Sequence, residues 1–177
     1  MDIVVTPDPA DPTRGHIRWR GRSARCALGR SGVVAESAKR EGDGATPAGR
    51  FLLRRALWRA DRVAAPSTAL PHAAIEKHDG WCDDPGRPDY NRPVRIPYKG
   101  SAERLWRDDD LYDLMAVLGH NDAPPRPGMG SAIFLHVATS GFAPTEGCVA
   151  MAESDLRALL ADAEAGDAVT IESPAAT

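Results

Sequence analysis

Ile133-Phe134-Leu135-His136-Val137-Ala138, followed by Thr139-Ser140-Gly141-Phe142-Ala143-Pro144 and then Thr145-Glu146-Gly147-Cys148-Val149-Ala150-Met151, is the stretch on which the fold turns. The first segment is apolar and carries a single histidine, the pattern of a buried strand. The second is rich in turn formers. The third places a cysteine directly behind a glycine. Cysteine follows histidine by 12 positions, enough chain to double back and bring the two side chains together. A thiol near an imidazole can become a thiolate, the reactive form of cysteine.

The flanking segments extend this into a strand-rich reading. Leu111 to Leu118 reads as a buried strand rather than a helix, because Gly119-His120-Asn121-Asp122 and a proline-rich loop bound it tightly. Ser131 to Ala138 then pairs beside it. Beyond the cysteine, Ser154 is expected to cap a helix running to about Ala163, with Leu156, Leu159, Leu160 and Ala163 on one side and Gly166 after its end. Ala168 to Glu172 alternates and closes the sheet. Toward the start of the chain, Ile3 to Thr6 reads as a strand and Asp8 to Pro12 as a turn. His16 to Arg20 and Ala24 to Leu28 form a hairpin through Gly21, with Cys26 packed as a small core residue. Lys39 to Gly49 reads as a loop, Arg50 to Trp58 and Ala74 to His78 as strands, and Ser101 to Arg107 as a helical turn capped by Ser101.

Composition bounds the function. A chain of 177 residues suits one domain, 1–177 with a core over about 16–172, and 42% hydrophobic residues suffice for a packed interior. A net charge of −3 with scattered arginines gives no reason to expect a nucleic-acid surface, and no nucleic-acid partner is expected. Neither a signal peptide nor a membrane span is legible, so the chain as written is expected to be cytoplasmic. It would be periplasmic or cell-wall if its start is truncated or its export unconventional. Cys26, Cys82 and Cys148 are odd in number, so at least one lacks an internal partner. His72, His78 and Cys82 fit no zinc spacing, and no metal site is expected. A monomer is expected.

Two motifs in order resemble the L,D-transpeptidase catalytic domain of the YkuD type. In that family a strand histidine precedes a Ser/Thr-His-Gly-Cys segment, here Thr145-Glu146-Gly147-Cys148. The stretch Gly42-Asp43-Gly44-Ala45-Thr46-Pro47-Ala48-Gly49-Arg50-Phe51 also resembles the family's Thr-Pro-x-Gly-x-Phe. Glu146 stands where the family pattern has histidine, and Val137 follows His136 where many members have a small or polar residue. The resemblance implies a mainly β fold with a few short helices, a sandwich or barrel with one C-terminal helix after the cysteine.

The resemblance also implies chemistry. Cys148 would be the nucleophile and His136 the general base and acid, with backbone N–H groups at Gly147 and Cys148 facing the oxyanion. A third group should orient the imidazole. The family suggests a backbone carbonyl, and His120, Asn121 and Asp122 are side-chain alternatives. Thr145, Glu146, Trp81 and Asn121 are the candidates for substrate contact. The implied substrate is the peptidoglycan stem peptide, attacked through a thioester without metal or organic cofactor. Two other readings accompany it. Hydrolysis would make the protein an L,D-carboxypeptidase or related cysteine peptidase acting on muropeptides. A carboxylate at Glu146, disfavouring a neighbouring thiolate, would instead suit a non-catalytic module that binds wall fragments.

Overall fold

The computed structural model describes residues 1–174. In chain order the strands are β1 (Asp2–Pro7), β2 (Arg14–Trp19), β3 (Arg22–Ala27), β4 (Val33–Ala35), β5 (Thr46–Trp58), β6 (His72–Ala74), β7 (Asp79–Cys82), β8 (Pro93–Arg95), β9 (Ala102–Arg104), β10 (Leu114–Leu118), β11 (Phe134–Val137), β12 (Val149–Met151) and β13 (Ala168–Ile171). The helix α1 (Glu153–Asp162) lies between β12 and β13.

Hydrogen bonding runs β10-β11-β12-β3-β2-β1-β13-β5, and β5 pairs again with β10, so the sheet closes into a barrel. Closure removes the open edges that a sheet otherwise exposes. The long strand β5 makes it possible: its first half pairs with β13 and its second half with β10, while β4 and β6 add beside it in parallel. A separate three-stranded sheet, β8-β7-β9, stands against the barrel.

The β2–β3 hairpin turns through Arg20 and Gly21, both with positive φ (41° and 75°), the backbone that a two-residue hairpin needs. Alternation then sorts the side chains. Leu114, Ala116, Leu118, Leu135, Val137, Val149 and Met151 join the barrel core with Ile3, Ile17 and Phe51. Leu156, Leu159 and Leu160 of α1 enter that same core. Met115, Val117, Phe134 and Cys148 face the other way and pack with Trp81, Leu105 and Tyr112. Because both faces of β10 and β11 are covered, both strands are buried along their whole length.

The mainly β architecture with one helix after the cysteine agrees with expectation, and several boundaries do not. The loop expected over Lys39 to Gly49 gives way at Thr46 to β5, because Thr46 to Ala48 pair with Val33 to Ala35. The strand expected over Ala74 to His78 is absent beyond Ala74, the last residue of β6. The Asp79 carboxylate accepts the Glu76 N–H at 2.8 Å and closes a turn there, and β7 begins at Asp79 in the other sheet. The helical turn expected over Ser101 to Arg107 is strand β9, recruited by Gly80, Trp81 and Cys82 of β7. Sheet pairing here overrides a local helical preference. Ser154 is no cap: α1 begins one residue earlier, after Ala152, and Glu153 and Asp155 supply negative charge to its first turn. The helix ends at Asp162, and Gly166 (φ 95°) sits in the turn beyond.

Candidate active site

Parallel pairing of β11 with β12 sets Leu135 beside Val149 and His136 beside Ala150. Period-two alternation therefore puts Phe134 and His136 on the same outer face as Cys148 and Ala150, while their neighbours fill the barrel. His136 stands beside Ala150, two residues beyond Cys148 along the neighbouring strand. Both line one cavity of about 450 Å³ between the barrel wall and the small sheet.

Each side chain has its own partner. The Cys148 thiol donates to the Ala132 carbonyl at 3.2 Å, and its sulfur accepts the Phe134 N–H at 3.4 Å. Imidazole Nδ1 of His136 lies 2.8 Å from the Val137 carbonyl. A carbonyl only accepts, so Nδ1 carries the proton and Nε2 keeps its lone pair. Among the described residues no hydrogen bond joins the two side chains directly. The backbone carbonyl is the orienting group that the family resemblance implied. His120, Asn121 and Asp122 lie in a different cavity, beside Arg50 and Arg54.

Burial pushes both groups toward their neutral forms. Desolvation, then the negative charge of Glu103, raises the Cys148 thiol to about 12. Desolvation lowers His136 to about 4, against the Val137 carbonyl, which favours the protonated ring. The resting site is thus a neutral thiol beside a neutral imidazole. The thiolate that a nearby imidazole can generate is therefore disfavoured at rest, because both groups are buried.

The loop before the cysteine is clamped from beneath. Thr145 N–H donates to the Leu28 carbonyl and Arg30 N–H to the Thr145 carbonyl. Thr145 Oγ1 donates to the Cys148 carbonyl at 2.6 Å and accepts the Gly147 N–H at 3.1 Å. The Gly147 amide, expected to be free for an oxyanion, is therefore already engaged. Gly147 is required for another reason. Its φ is 137°, and a Cβ there would stand 2.8 Å from the Ala45 carbonyl oxygen. The two sequence motifs meet at this point, since Ala45 belongs to the glycine loop and Thr46 hydrogen-bonds both the Gly29 amide and the Cys148 carbonyl.

Glu146 lines the mouth of the cavity but is 78% exposed and turned onto Arg30, whose Nε reaches both carboxylate oxygens at 3.1 and 2.9 Å. Glu103, not Glu146, is the carboxylate that acts on the thiol. Trp81 does not reach this cavity. It packs edge-on to Phe134 at 5.3 Å and donates its indole N–H to Asn91. Asn121 is likewise structural: its amide holds the Arg126 and Gly130 carbonyls of its own loop. Neither lines the cavity that holds Cys148 and His136.

Several cavity residues escaped sequence reasoning. Tyr112 stands edge-on to His136 at 5.4 Å and donates its hydroxyl to Glu103, whose carboxyl burial holds above the usual range. Arg107 lies over the Tyr112 ring at 5.2 Å and is paired with Asp109. Lys39, Glu41 and Asp83 complete the polar wall. Their signal in sequence was nil, because these residues come from segments far apart in the chain that meet only in the folded protein.

A closed barrel with cysteine and histidine on the outer faces of adjacent strands, opening on one polar cleft, defines a cysteine-bearing catalytic scaffold. The sequence model of the L,D-transpeptidase catalytic domain matches residues 12–171, and the chain belongs to that family of cysteine-dependent transpeptidases. No curated protein matches it. Among the described residues no helix is long and apolar enough to cross a membrane.

Proposed function

We propose that this protein is an L,D-transpeptidase that acts on peptidoglycan stem peptides through a Cys148 thioester and forms amide cross-links. The observation that carries the reading is the shared cavity. One imidazole, its Nδ1–H fixed on the Val137 carbonyl, and one thiol open on the same space from adjacent strands.

In this mechanism the donor peptide enters and its carbonyl carbon approaches Sγ. His136 Nε2 takes the thiol proton as the C–S bond forms, general-base catalysis that needs no resting thiolate. The Val137 carbonyl stabilises the imidazolium through Nδ1–H, the task that a carboxylate performs in other nucleophile–base pairs. With the Gly147 amide held by Thr145, the Cys148 amide is the nearer oxyanion donor. Collapse expels the terminal amino acid, whose amine takes the proton from His136. A second stem's amine then gives up a proton to His136 and attacks the thioester, releasing the thiol.

Glu41, Asp83 and Glu103 on the cavity wall suit an acceptor that arrives as an amine, and so favour transfer over hydrolysis. The raised thiol favours the rival reading, a module that binds wall fragments without chemistry. Incubation with tetrapeptide stems, with and without an amine acceptor, distinguishes them by product mass. We expect a cross-linked product from wild type and none from Cys148→Ala. Release of the terminal amino acid alone, at equal rate with and without acceptor, would make the protein a carboxypeptidase. No turnover and no carbapenem adduct on Cys148 would end the catalytic reading.

A further inference from the structure

Asn91 makes four hydrogen bonds from a site closed to solvent. Its Nδ2 donates to the His120 carbonyl at 3.0 Å and the Asn121 carbonyl at 2.8 Å. Its Oδ1 accepts the Trp81 indole N–H at 2.9 Å and the Ala132 backbone N–H at 3.1 Å. The side chain's donors and one acceptor are all used, so its orientation is fixed. It ties together β7, the loop that follows β10, and the residue whose carbonyl accepts the thiol's hydrogen bond.

Ala132 is the other half of the device. It is a non-glycine residue at φ 54°, and Asn91 itself stands at φ 56°. A left-handed alanine is uncommon and persists only where surrounding bonds over-determine it. The bond from Ala132 N–H to Asn91 is one such restraint. The carbonyl of that same residue accepts the Cys148 thiol at 3.2 Å. Rotation of the Ala132 backbone toward the ordinary right-handed region would carry its carbonyl away from the sulfur.

We propose that Asn91 is a positioning residue for Cys148, acting through the Ala132 peptide. By pinning Ala132 it sets the direction in which the thiol points at rest, and so the geometry from which Sγ starts its attack. Positional precision of the reacting atom is worth large factors in rate. Asn91 does not line the cavity that holds Cys148 and His136. Its loss should therefore lower the maximal acylation rate and leave the half-saturating concentration unchanged. The assignment rests on Cys148 being the nucleophile.

Two substitutions test it. Asn91→Gly tolerates the positive φ but has no side chain. Asn91→Asp keeps an oxygen for the Trp81 and Ala132 N–H groups, the bonds that pin Ala132, and when protonated donates to one of the two facing carbonyls. Carbapenem acylation of Cys148, followed by intact mass across a concentration series, gives the maximal rate and half-saturation separately. Circular dichroism supplies the folded fraction. We expect Asn91→Gly to lose about 10- to 100-fold in maximal rate, and Asn91→Asp to stay within about threefold of wild type. A folded Asn91→Gly protein with the wild-type rate overturns the assignment. So does a folded Asn91→Asp protein slowed more than about tenfold, which decides alone if the glycine variant does not fold. Absence of an adduct in wild type refutes the catalytic reading of Cys148 instead, and with it this one.

Discussion

The resting thiol should be far less reactive than its place in an active site suggests. Burial, assisted by Glu103, moves Cys148 from 9.0 to about 12. At neutral pH that leaves about a thousandfold less thiolate than an unperturbed thiol, equivalent to about 4 kcal/mol. A small alkylating reagent consumes the thiolate directly, so its rate with Cys148 should climb tenfold per pH unit from 7 to beyond 10 with no plateau. A carbapenem is different, because His136 can take the proton as the bond forms. Its acylation rate should rise through about pH 4, where His136 becomes neutral, and stay level through pH 8. The assay is intact mass after timed exposure to iodoacetamide or to carbapenem, with Cys148→Ala subtracting the other two cysteines. An alkylation plateau at or below pH 8 would mean a resting ion pair and would refute the account of a buried, neutral site. Parallel pH profiles for the two reagents would refute the role given to His136.

Three further outcomes follow from the same geometry. His136 is depressed from 6.5 to about 4, so the unfolded chain binds its proton more readily than the folded one. That contribution is complete above pH 6.5 and is lost as pH falls through about 4. Urea unfolding should therefore show wild type losing about 3 kcal/mol more than His136→Gln between pH 7 and pH 4, and equal losses would contradict the burial argument. Gly147→Ala drives a Cβ to within 2.8 Å of the Ala45 oxygen at a φ of 137°, and should cost about 2–3 kcal/mol in thermal unfolding and abolish acylation. Glu146→Gln removes a carboxylate that is turned outward onto Arg30, so acylation should stay within about twofold of wild type and stability within about 0.5 kcal/mol. A tenfold change in acylation would give Glu146 a direct role.

The strands were legible wherever local pattern and final environment agreed. His16 to Arg20 and Ala24 to Leu28 alternate because one face of each is wet, and they are β2 and β3. The segments that misled belong to the small sheet. Ser101 to Arg107 and Ala74 to His78 are short and take their strand or turn character from β7 and from the Asp79 side chain. No local signal specifies such a partner. The glycine loop was recognised, but not its shift into β5, which depends on the distant β4.

From sequence alone came the family, the pairing of the strands that became β10 and β11, and His136 and Cys148 as candidates. β12 was not legible, and only its parallel register with β11, Leu135 beside Val149, puts the cysteine and the histidine on one face. Tertiary structure decided what that face confronts. Only the folded chain shows that Cys148 and His136 are buried, that Glu103 rather than Glu146 opposes the thiolate, and that Trp81 and Asn121 line other cavities. Solvation, charge proximity and hydrogen-bond competition depend on distances between segments remote in sequence, and those distances exist only once the barrel has closed.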